Sequence, residues 1–289
     1  MERHLFEELG HWYKGNLHTH TQNSDGELPF DTVVNMYREH GYDFLAVTDH
    51  WHLNETKEEK DFLLLNGAEW DVNDPVFHIV GFGLERDPGI ERGMQAEDYI
   101  KRINEAGGLA LLAHPAWSLM EPKDIARCEG VFAAEIYNTT SGMPWNPERA
   151  DSSHYFDLWA SSGILMKAVA DDDAHHYNGD EMKSFVMVNA GDLSRKSILA
   201  ALKDGNFYAS QGPKILDAVW DDTERTLTLQ CSEDTETVYF SSNRCWSPER
   251  VQHPMDGKVV FQSVPKETYL RATLIDDMGR KAWLSPFAI

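Results

Sequence analysis

From Gly15 to about Ser210 the chain alternates short apolar runs with longer amphipathic stretches. This alternation is typical of successive βα units, in which a helix follows each strand and covers the sheet. The predicted strands are Gly15 to His18, Phe44 to Thr48, Leu63 to Glu69, His78 to Phe82, Leu109 to Ala113, Ala134 to Tyr137 and Lys167 to Ala170. The predicted helices are Phe30 to His40, Gln95 to Ala106, Pro122 to Arg127 and Ser194 to Lys203. The pattern predicts an α/β fold, a distorted (β/α)7 barrel.

After Gly212-Pro213 the pattern changes to short, partly alternating β-rich runs separated by Asp, Asn, Pro and Gly. These runs are Ile215 to Trp220, Thr226 to Cys231, Thr237 to Ser241, Lys258 to Gln262 and Tyr269 to Ile275. No convincing helical periodicity lies between them, which indicates a small antiparallel β domain of the sandwich type. We therefore expect a barrel over residues 1–212 and an all-β domain over residues 213–289.

The charge of the chain constrains its partners. Against 26 Lys and Arg stand 48 Asp and Glu, a net charge of -22 with neutral histidines. Such a surface repels nucleic-acid polymers and anionic membranes, so a small substrate in a cation-rich pocket is the expected partner. Cys128, Cys231 and Cys245 show no C-x-x-C spacing and suit a reducing compartment. With no apolar run of signal-peptide or membrane-spanning length, the sequence predicts a cytoplasmic protein and leaves its oligomeric state open.

Histidines and carboxylates occur at the ends of the predicted strands. His18 and His20 leave the first strand on the same side, because residues i and i+2 of an extended chain share a face, and can chelate one ion. Further candidates along the chain are Asp25, His50, Glu69, His78, His114 and the acidic and histidine residues of the run Asp171 to His176. In a βα barrel the C-terminal strand ends form one rim, which is where such barrels carry their active sites. We expect these residues to meet there.

Each fragment also has an ordinary explanation. A single histidine at a strand end is usually a surface residue, Asp25 lies in a common turn sequence, and Asp49 could cap the next helix. Glu69 could pair with a Lys or Arg, and the run from Asp171 to Asp173 could be a solvated loop. The coincidence argues against these explanations, since six of the 13 histidines and three carboxylates fall at successive strand ends.

At residues 12–212 the chain resembles the polymerase and histidinol phosphatase (PHP) superfamily of metal-dependent phosphoesterases. The family's motifs appear in order: His-x-His, a downstream acid or histidine, Thr-Asp-His, Glu, His, His-Pro and Asp-x-His. The resemblance implies a first metal held by His18, His20, Glu69 and Asp173, a second by Glu69, His78 and His114, and a third by Asp25, His50 and His175. Many members have a histidine where Asp25 stands, so the third site is expected to be weaker or differently selective.

Imidazole and carboxylate ligands without thiolate suit manganese, iron or zinc, and we expect two or three such ions. A glutamate bridging two ions about 3.5 to 4 Å apart leaves room for a shared hydroxide, which is a nucleophile at neutral pH. Glu69 is the expected bridge. His175, Asp25 or His50 could relay a proton to the leaving oxygen if the third ion is absent or loosely held.

Candidate substrate contacts are Asn138, Lys167, Arg102 and Arg149. Asn138 ends the segment Glu135 to Asn138, which resembles a Glu-x-x-Asn segment lining the pocket in relatives, whereas the three basic residues are candidate phosphate clamps or simply solvated. Three tryptophans close to strand ends could stack on a nucleobase or other ring, or pack the rim: Trp51, Trp117 and Trp145. His52 and His176 are expected bystanders.

The segments Phe207 to Pro213 and Trp283 to Pro286 resemble a branch of PHP proteins, often named after a carbaryl hydrolase, with a small β domain after the barrel. The leading function is a phosphatase or phosphodiesterase acting on a small phosphorylated metabolite or nucleotide. Hydrolysis of a carboxylester or carbamate by the same hydroxide is the second possibility. A metal-loaded ligand-binding protein without turnover is the third.

Overall fold

The computed structural model describes residues 1–7, 9–55, 57–72, 77–244 and 246–289. Cys245 lies outside this part of the chain; Cys128 and Cys231 are buried free thiols. The first strands in chain order are β1 (Glu2–His4), β2 (His11–Asn16), β3 (Phe44–Ala46), β4 (Lys57–Glu59), β5 (Phe62–Leu65), β6 (Gly67–Asp71), β7 (His78–Phe82), β8 (Leu109–Leu112), β9 (Ala133–Asn138), β10 (Ala168–Asp171), β11 (Phe185–Ala190) and β12 (Phe207–Ser210). The later strands are β13 (Ile215–Asp221), β14 (Thr226–Cys231), β15 (Thr235–Ser241), β16 (Val251–Gln252), β17 (Lys258–Gln262), β18 (Tyr269–Asp276) and β19 (Lys281–Ala288).

The α-helices are α1 (Phe30–Glu39), α2 (Ala96–Glu105), α3 (Ser153–Ser161) and α4 (Arg195–Asp204). Short 3-10 helices span Pro122–Cys128, Thr140–Gly142 and Pro248–Arg250. The Ser194 hydroxyl begins α4 by accepting the Ser197 amide proton, and Gly205 ends it at a φ of 87°, a conformation that favours glycine. None of the helices in the described ranges is long and apolar enough to cross a membrane.

The strands form three sheets of mixed direction. One has the order β10-β9-β8-β7-β6, a second runs β16-β15-β18-β19-β12-β11-β2-β3-β5-β4, and a third is β1-β13-β14-β17. The α/β character is confirmed, but the closed (β/α)7 barrel is not, because β7 is antiparallel to both neighbours and the sheets remain open among the described residues. Single parallel bridges, His50 with Glu69 and Thr19 with Ala174, join the first two sheets at one end.

The first two sheets pack face to face over a common core. Alternate residues of β7 and β8 point to opposite sides, so Val80 and Leu111 face the interior while Ile79 and Leu112 pack against the surrounding helices. Side chains from the second sheet complete the interior, among them Leu17, Phe44 and Leu63. The result is a barrel-like pair of sheets whose polar rim lies at the carboxyl ends of the parallel strands.

The chain passes from one sheet to the other between β5 and β6, where the sequence pattern predicts one continuous strand. Asn66 lies at this crossing. Its side-chain Nδ2 donates to the Leu84 carbonyl, and its Oδ1 accepts the Leu84 backbone amide proton. The next residue is Gly67, where a Cβ would approach the Thr48 side chain to 2.9 Å. This close approach of two strands requires glycine and directs the following strand, with Glu69, towards the rim.

The predicted β domain forms a sandwich, in which the third sheet faces β15, β18 and β19 across a core that includes Trp220, Leu229, Phe240 and Leu274. Hydrogen bonds cross the predicted boundary between residues 212 and 213, because β12 pairs with β19 and β1 pairs with β13. Trp283 of β19 is fully buried and stacks on Tyr137 of β9, with ring centroids 5.6 Å apart. The division into two domains at that boundary stays a prediction.

Candidate metal centre

The rim between the first two sheets brings together all nine of the predicted ligands. Most follow the carboxyl ends of strands, whereas His78 begins β7. Because β7 runs antiparallel to β6 and β8, its first residue lies beside their carboxyl ends. The ligand atoms form three groups: His18, His20, Glu69 and Asp173; Glu69, His78 and His114; and His20, Asp25, His50 and His175.

The first group is buried and has nearly tetrahedral spacing. His18 Nε2 and His20 Nε2 are 3.2 Å apart, and each lies 3.0 to 3.1 Å from Glu69 Oε2 and Asp173 Oδ1. Four ligand atoms arranged tetrahedrally around a zinc-like ion at 2.0–2.1 Å would be about 3.3 Å apart. Asp173 Oδ1 is buried and accepts no hydrogen bond despite these two close nitrogens. The donor set and its spacing therefore fit a divalent ion at the centre of the group.

The second group uses the other oxygen of Glu69. Its Oε1 lies 2.7 Å from His78 Nδ1 and 3.5 Å from His114 Nε2. His114 Nδ1 faces Ser118 Oγ at 3.2 Å, so its Nε2 is the atom turned to the group. The two oxygens of Glu69 thus face two different sets of imidazoles, which is the arrangement a bridging carboxylate requires.

The third group is wider and open to solvent. Asp25 Oδ1 lies 3.5 Å from His175 Nε2 and 3.6 Å from His20 Nδ1, and Asp25 Oδ2 lies 3.8 Å from His50 Nε2. The Asp25 side chain is 57% exposed, whereas that of Glu69 is 1% exposed. The group is connected to the first through His20, whose two ring nitrogens face different groups.

Carboxylates and imidazoles of the three groups stabilise one another's charged forms, as the pKa values of Glu69 and His175 show. Burial opposes a charge on Glu69, but the neighbouring imidazoles of His18, His78 and His50 hold the pKa of its carboxyl well below the usual range. Burial likewise disfavours protonated His175, yet the carboxylates of Asp173 and Asp25 raise its pKa to about 9. The carboxylates of Glu69, Asp173 and Asp25 are therefore ionised and attract positive charge, so a bound cation would displace the proton of His175.

Glu135, on β9, holds two candidate ligands in place. His18 Nδ1 donates to its Oε1 at 2.6 Å, which leaves the Nε2 lone pair directed at the first group. The His114 backbone amide donates to its Oε2 at 2.8 Å, and Asn138 Nδ2 donates to the same oxygen at 2.7 Å. Asn138 Nδ2 also donates to Asp173 Oδ2 at 3.1 Å. In the sequence, Glu135 stands out only as a carboxylate inside an otherwise apolar predicted strand.

Two candidate ligands have unusual backbone conformations. His114 has a φ of 27° and Asp173 a φ of 52°, in the region that non-glycine residues rarely adopt. Such conformations cost about 1–3 kcal/mol each and persist where the surroundings enforce them. Here the amide of His114 donates to Glu135 and that of Asp173 donates to the His18 carbonyl.

The neighbouring aspartates support loops. Asp49 is neither a helix cap nor a partner of an imidazole; it accepts hydrogen bonds from Thr21, Ser24 and Asn54 and so braces the loop that carries Asp25. The run from Asp171 to Asp173 is buried rather than a solvated loop, with Asp172 accepting the backbone amides of residues 182–184.

The four candidate substrate contacts lie in different parts of the structure, and two of them lie away from the metal centre. Asn138 is buried and its side chain is occupied by Glu135 and Asp173, as described above. Lys167 precedes β10 and donates to the Lys203 carbonyl, away from the metal centre, and Arg102 on α2 donates to the Gly89 carbonyl, also away from it. Arg149 donates to the carbonyl of Trp117, whose ring contacts two of the imidazoles.

No family model matches the chain. An uncharacterised protein of Methanocaldococcus jannaschii is 31% identical over 121 residues, covering 35% of this chain and 67% of the relative, so the chain belongs to the same family as that protein.

A crystal structure of a two-domain protein containing a predicted PHP-like metal-dependent phosphoesterase, from Bacteroides vulgatus, superposes on 97% of this chain and 97% of its own length, with a TM-score of 0.56 and 15% identity. An amidohydrolase from Chromobacterium violaceum matches 57% of this chain and 89% of its own at a TM-score of 0.42 and 18% identity. The fold of the chain is therefore similar over nearly its whole length to that of this two-domain PHP-like protein, in agreement with the resemblance found in the sequence.

Proposed function

We propose that this protein is a metal-dependent phosphoesterase that hydrolyses a small phosphorylated metabolite or nucleotide. The observation that carries the proposal is Glu69, a buried carboxylate whose two oxygens face two separate imidazole groups. A structural ion pair would not need three such groups at one rim.

The candidate residues would hold two or three divalent ions, with manganese, iron and zinc all compatible with nitrogen and oxygen donors. When bound, such ions supply a hydroxide nucleophile at neutral pH and neutralise the charge on a phosphoryl group. The chain's own part is to hold the ligands rigidly. Glu135 fixes the His18 ring, and Asn138 fixes the Asp173 carboxylate from the same strand.

Proton transfer to the leaving oxygen is assigned to the third group. His175 and Asp25 face each other at 3.5 Å, and Asp25 has the most exposed side chain of the nine candidate ligands, at 57%. Where the third ion is absent or loosely held, a protonated His175, favoured by a pKa of about 9, is a suitable proton donor at neutral pH. Substrate, metal identity and compartment are predictions from the sequence; the strongly negative surface favours a small substrate over a nucleic-acid polymer.

The test replaces Glu69 by Gln and assays manganese-loaded protein with phosphomonoesters, cyclic phosphodiesters and aryl carboxylic esters. We expect the variant to lose turnover and most bound metal together, because one substitution removes a charge shared by two groups. His52→Ala is the matched control, since His52 is exposed and lies outside the three groups. Phosphate turnover and full metal content in the Glu69 variant would place the active site elsewhere.

The same panel distinguishes the two other functions. A wild-type protein that hydrolyses aryl esters or carbamates and no phosphate ester would be a carboxylester or carbamate hydrolase. A fully metallated protein that turns over nothing in the panel would favour a ligand-binding role.

A further inference from the structure

Two tryptophans stand beside the histidine groups with much of their surface exposed. The Trp117 ring contacts the His114 and His78 rings edge-on, with centroids 4.9 and 5.7 Å away, and remains 39% exposed. Trp145 meets the His176 ring at 5.4 Å and 88° and is 65% exposed. One tryptophan therefore borders the second group, and the other borders the chain segment that carries His175.

Hydrogen bonds hold the turn that carries Trp117 in place. The turn with Trp117 starts at His114, whose carbonyl accepts the Ser118 amide at 3.1 Å. Arg149 Nη1 donates to the Trp117 carbonyl at 2.9 Å, and the Ser152 hydroxyl accepts the Ala116 amide at 3.2 Å. The segments before α3 and after β8 are thus joined at the rim, so that Trp117 is positioned relative to the ligands by hydrogen bonds.

Trp51, the third tryptophan at the rim, is held by contacts with neighbouring side chains, whereas Trp117 and Trp145 remain more exposed. Trp51 has its indole N–H bonded to Asp71, its ring against Tyr99 and the Arg92 guanidinium over its face. Trp117 and Trp145 leave large apolar faces in water, which is unfavourable unless a ligand covers them. Next to a polar site, exposed aromatic faces are typical of a pocket that binds a planar group.

We propose that Trp117, with Trp145, determines substrate specificity by binding an aromatic ring in the alcohol part of the phosphate ester. The substrate class is therefore phosphate esters of alcohols that carry a planar ring close to the phosphorus. This inference rests on the proposed phosphoesterase function. The metal groups would bind the phosphate, and the ring would lie against the Trp117 face beside His114 and His78.

Benzyl phosphate and cyclohexylmethyl phosphate test the proposal, because their leaving groups are both primary alcohols of similar size and only one is planar. The manganese-loaded wild-type protein should show a kcat/KM about tenfold higher for the benzyl ester, given about 1–3 kcal/mol for stacking on an aromatic side chain. Trp117→Ala should remove that preference and Trp117→Phe should restore part of it. Trp246→Ala is the control, since Trp246 is 83% exposed but lies in the β domain.

Binding of the non-hydrolysable benzylphosphonate and cyclohexylmethylphosphonate, measured by calorimetry, separates the two hypotheses. Turnover of both esters with equal efficiency, unchanged in Trp117→Ala, would overturn the specificity proposal and leave the phosphoesterase function intact. No turnover of either ester, with benzylphosphonate still preferred and the preference lost in Trp117→Ala, would overturn the function and support the aromatic site. Equal binding of both phosphonates would overturn the aromatic site in either case.

Discussion

The first and third histidine groups differ in packing although they share His20. In the first, ligand atoms lie 3.0 to 3.2 Å apart and the side chains are at most 9% exposed. In the third, the distances from Asp25 are 3.5 to 3.8 Å and its side chain is 57% exposed. Imidazole and carboxylate ligands are therefore closely spaced and buried in the first group but widely spaced and exposed in the third. We expect a tightly bound ion in the first group and an exchangeable ion in the third.

The largest effect should come from the first group. Asp173→Asn keeps the shape of the side chain but removes the charge, and it should weaken the tightest metal site by more than about a hundredfold and abolish phosphate turnover. Metal content after gel filtration and kcat measure the two losses. If the tightest ion survived this change, the preorganised site would have to be the second group.

Glu135→Gln tests whether preorganisation, rather than ligand identity, distinguishes the groups. Glu135 is not a ligand, so we expect every ligand to remain but the metal affinity of the first group to fall about 10–100-fold, the usual effect of losing an outer partner of a metal-bound histidine. Excess manganese should restore kcat, which a folding defect would not allow. Glu97→Gln is a control, because Glu97 pairs with Arg127 on the surface, in the first turn of α2. An affinity equal to the wild type would show that His18 needs no orientation by Glu135.

Metal binding to the third group should release a proton. Because burial is outweighed by Asp173 and Asp25, His175 has a pKa of about 9 and is mostly protonated at pH 7. Only neutral imidazole binds a metal, so binding at pH 7 displaces about one proton from His175, and the release disappears as the pH rises above 9. Calorimetry in two buffers of different ionisation enthalpy measures it, with His175→Gln as the comparison. Equal release by both proteins would contradict this assignment.

The smallest effect is expected at Asp25. Asp25→Ala should remove the ion that a weak chelator extracts first and lower turnover only a few-fold, leaving the tightly bound metal and the thermal stability almost unchanged. Titration with a weak chelator, followed by metal analysis, would show one step of metal loss where the wild type shows two. Loss of all metal from this variant would mean that the groups bind as one unit.

Local pattern predicted much of the fold because strands and helices impose periods of two and 3.6 residues. The strands β7, β14 and β17 have the predicted bounds, and α1 begins at the predicted Phe30. The pattern did not predict α3, whose tryptophan and phenylalanine face the core in a sequence rich in serine, or β19, which contains Pro286. It also merged β5 and β6, because the crossing at Asn66 and Gly67 depends on strands distant in sequence.

The sequence by itself determined which chemistry the rim can carry. Residue types, their order and their positions next to apolar strands, together with the resemblance to the PHP motifs, were enough to name nine candidate ligands. Only the tertiary structure decided how they combine. The antiparallel direction of β7 brings His78 to the rim. One carboxylate oxygen of Glu69 faces the first group and the other faces the second. These features depend on contacts between residues far apart in the chain, which local periodicity does not specify.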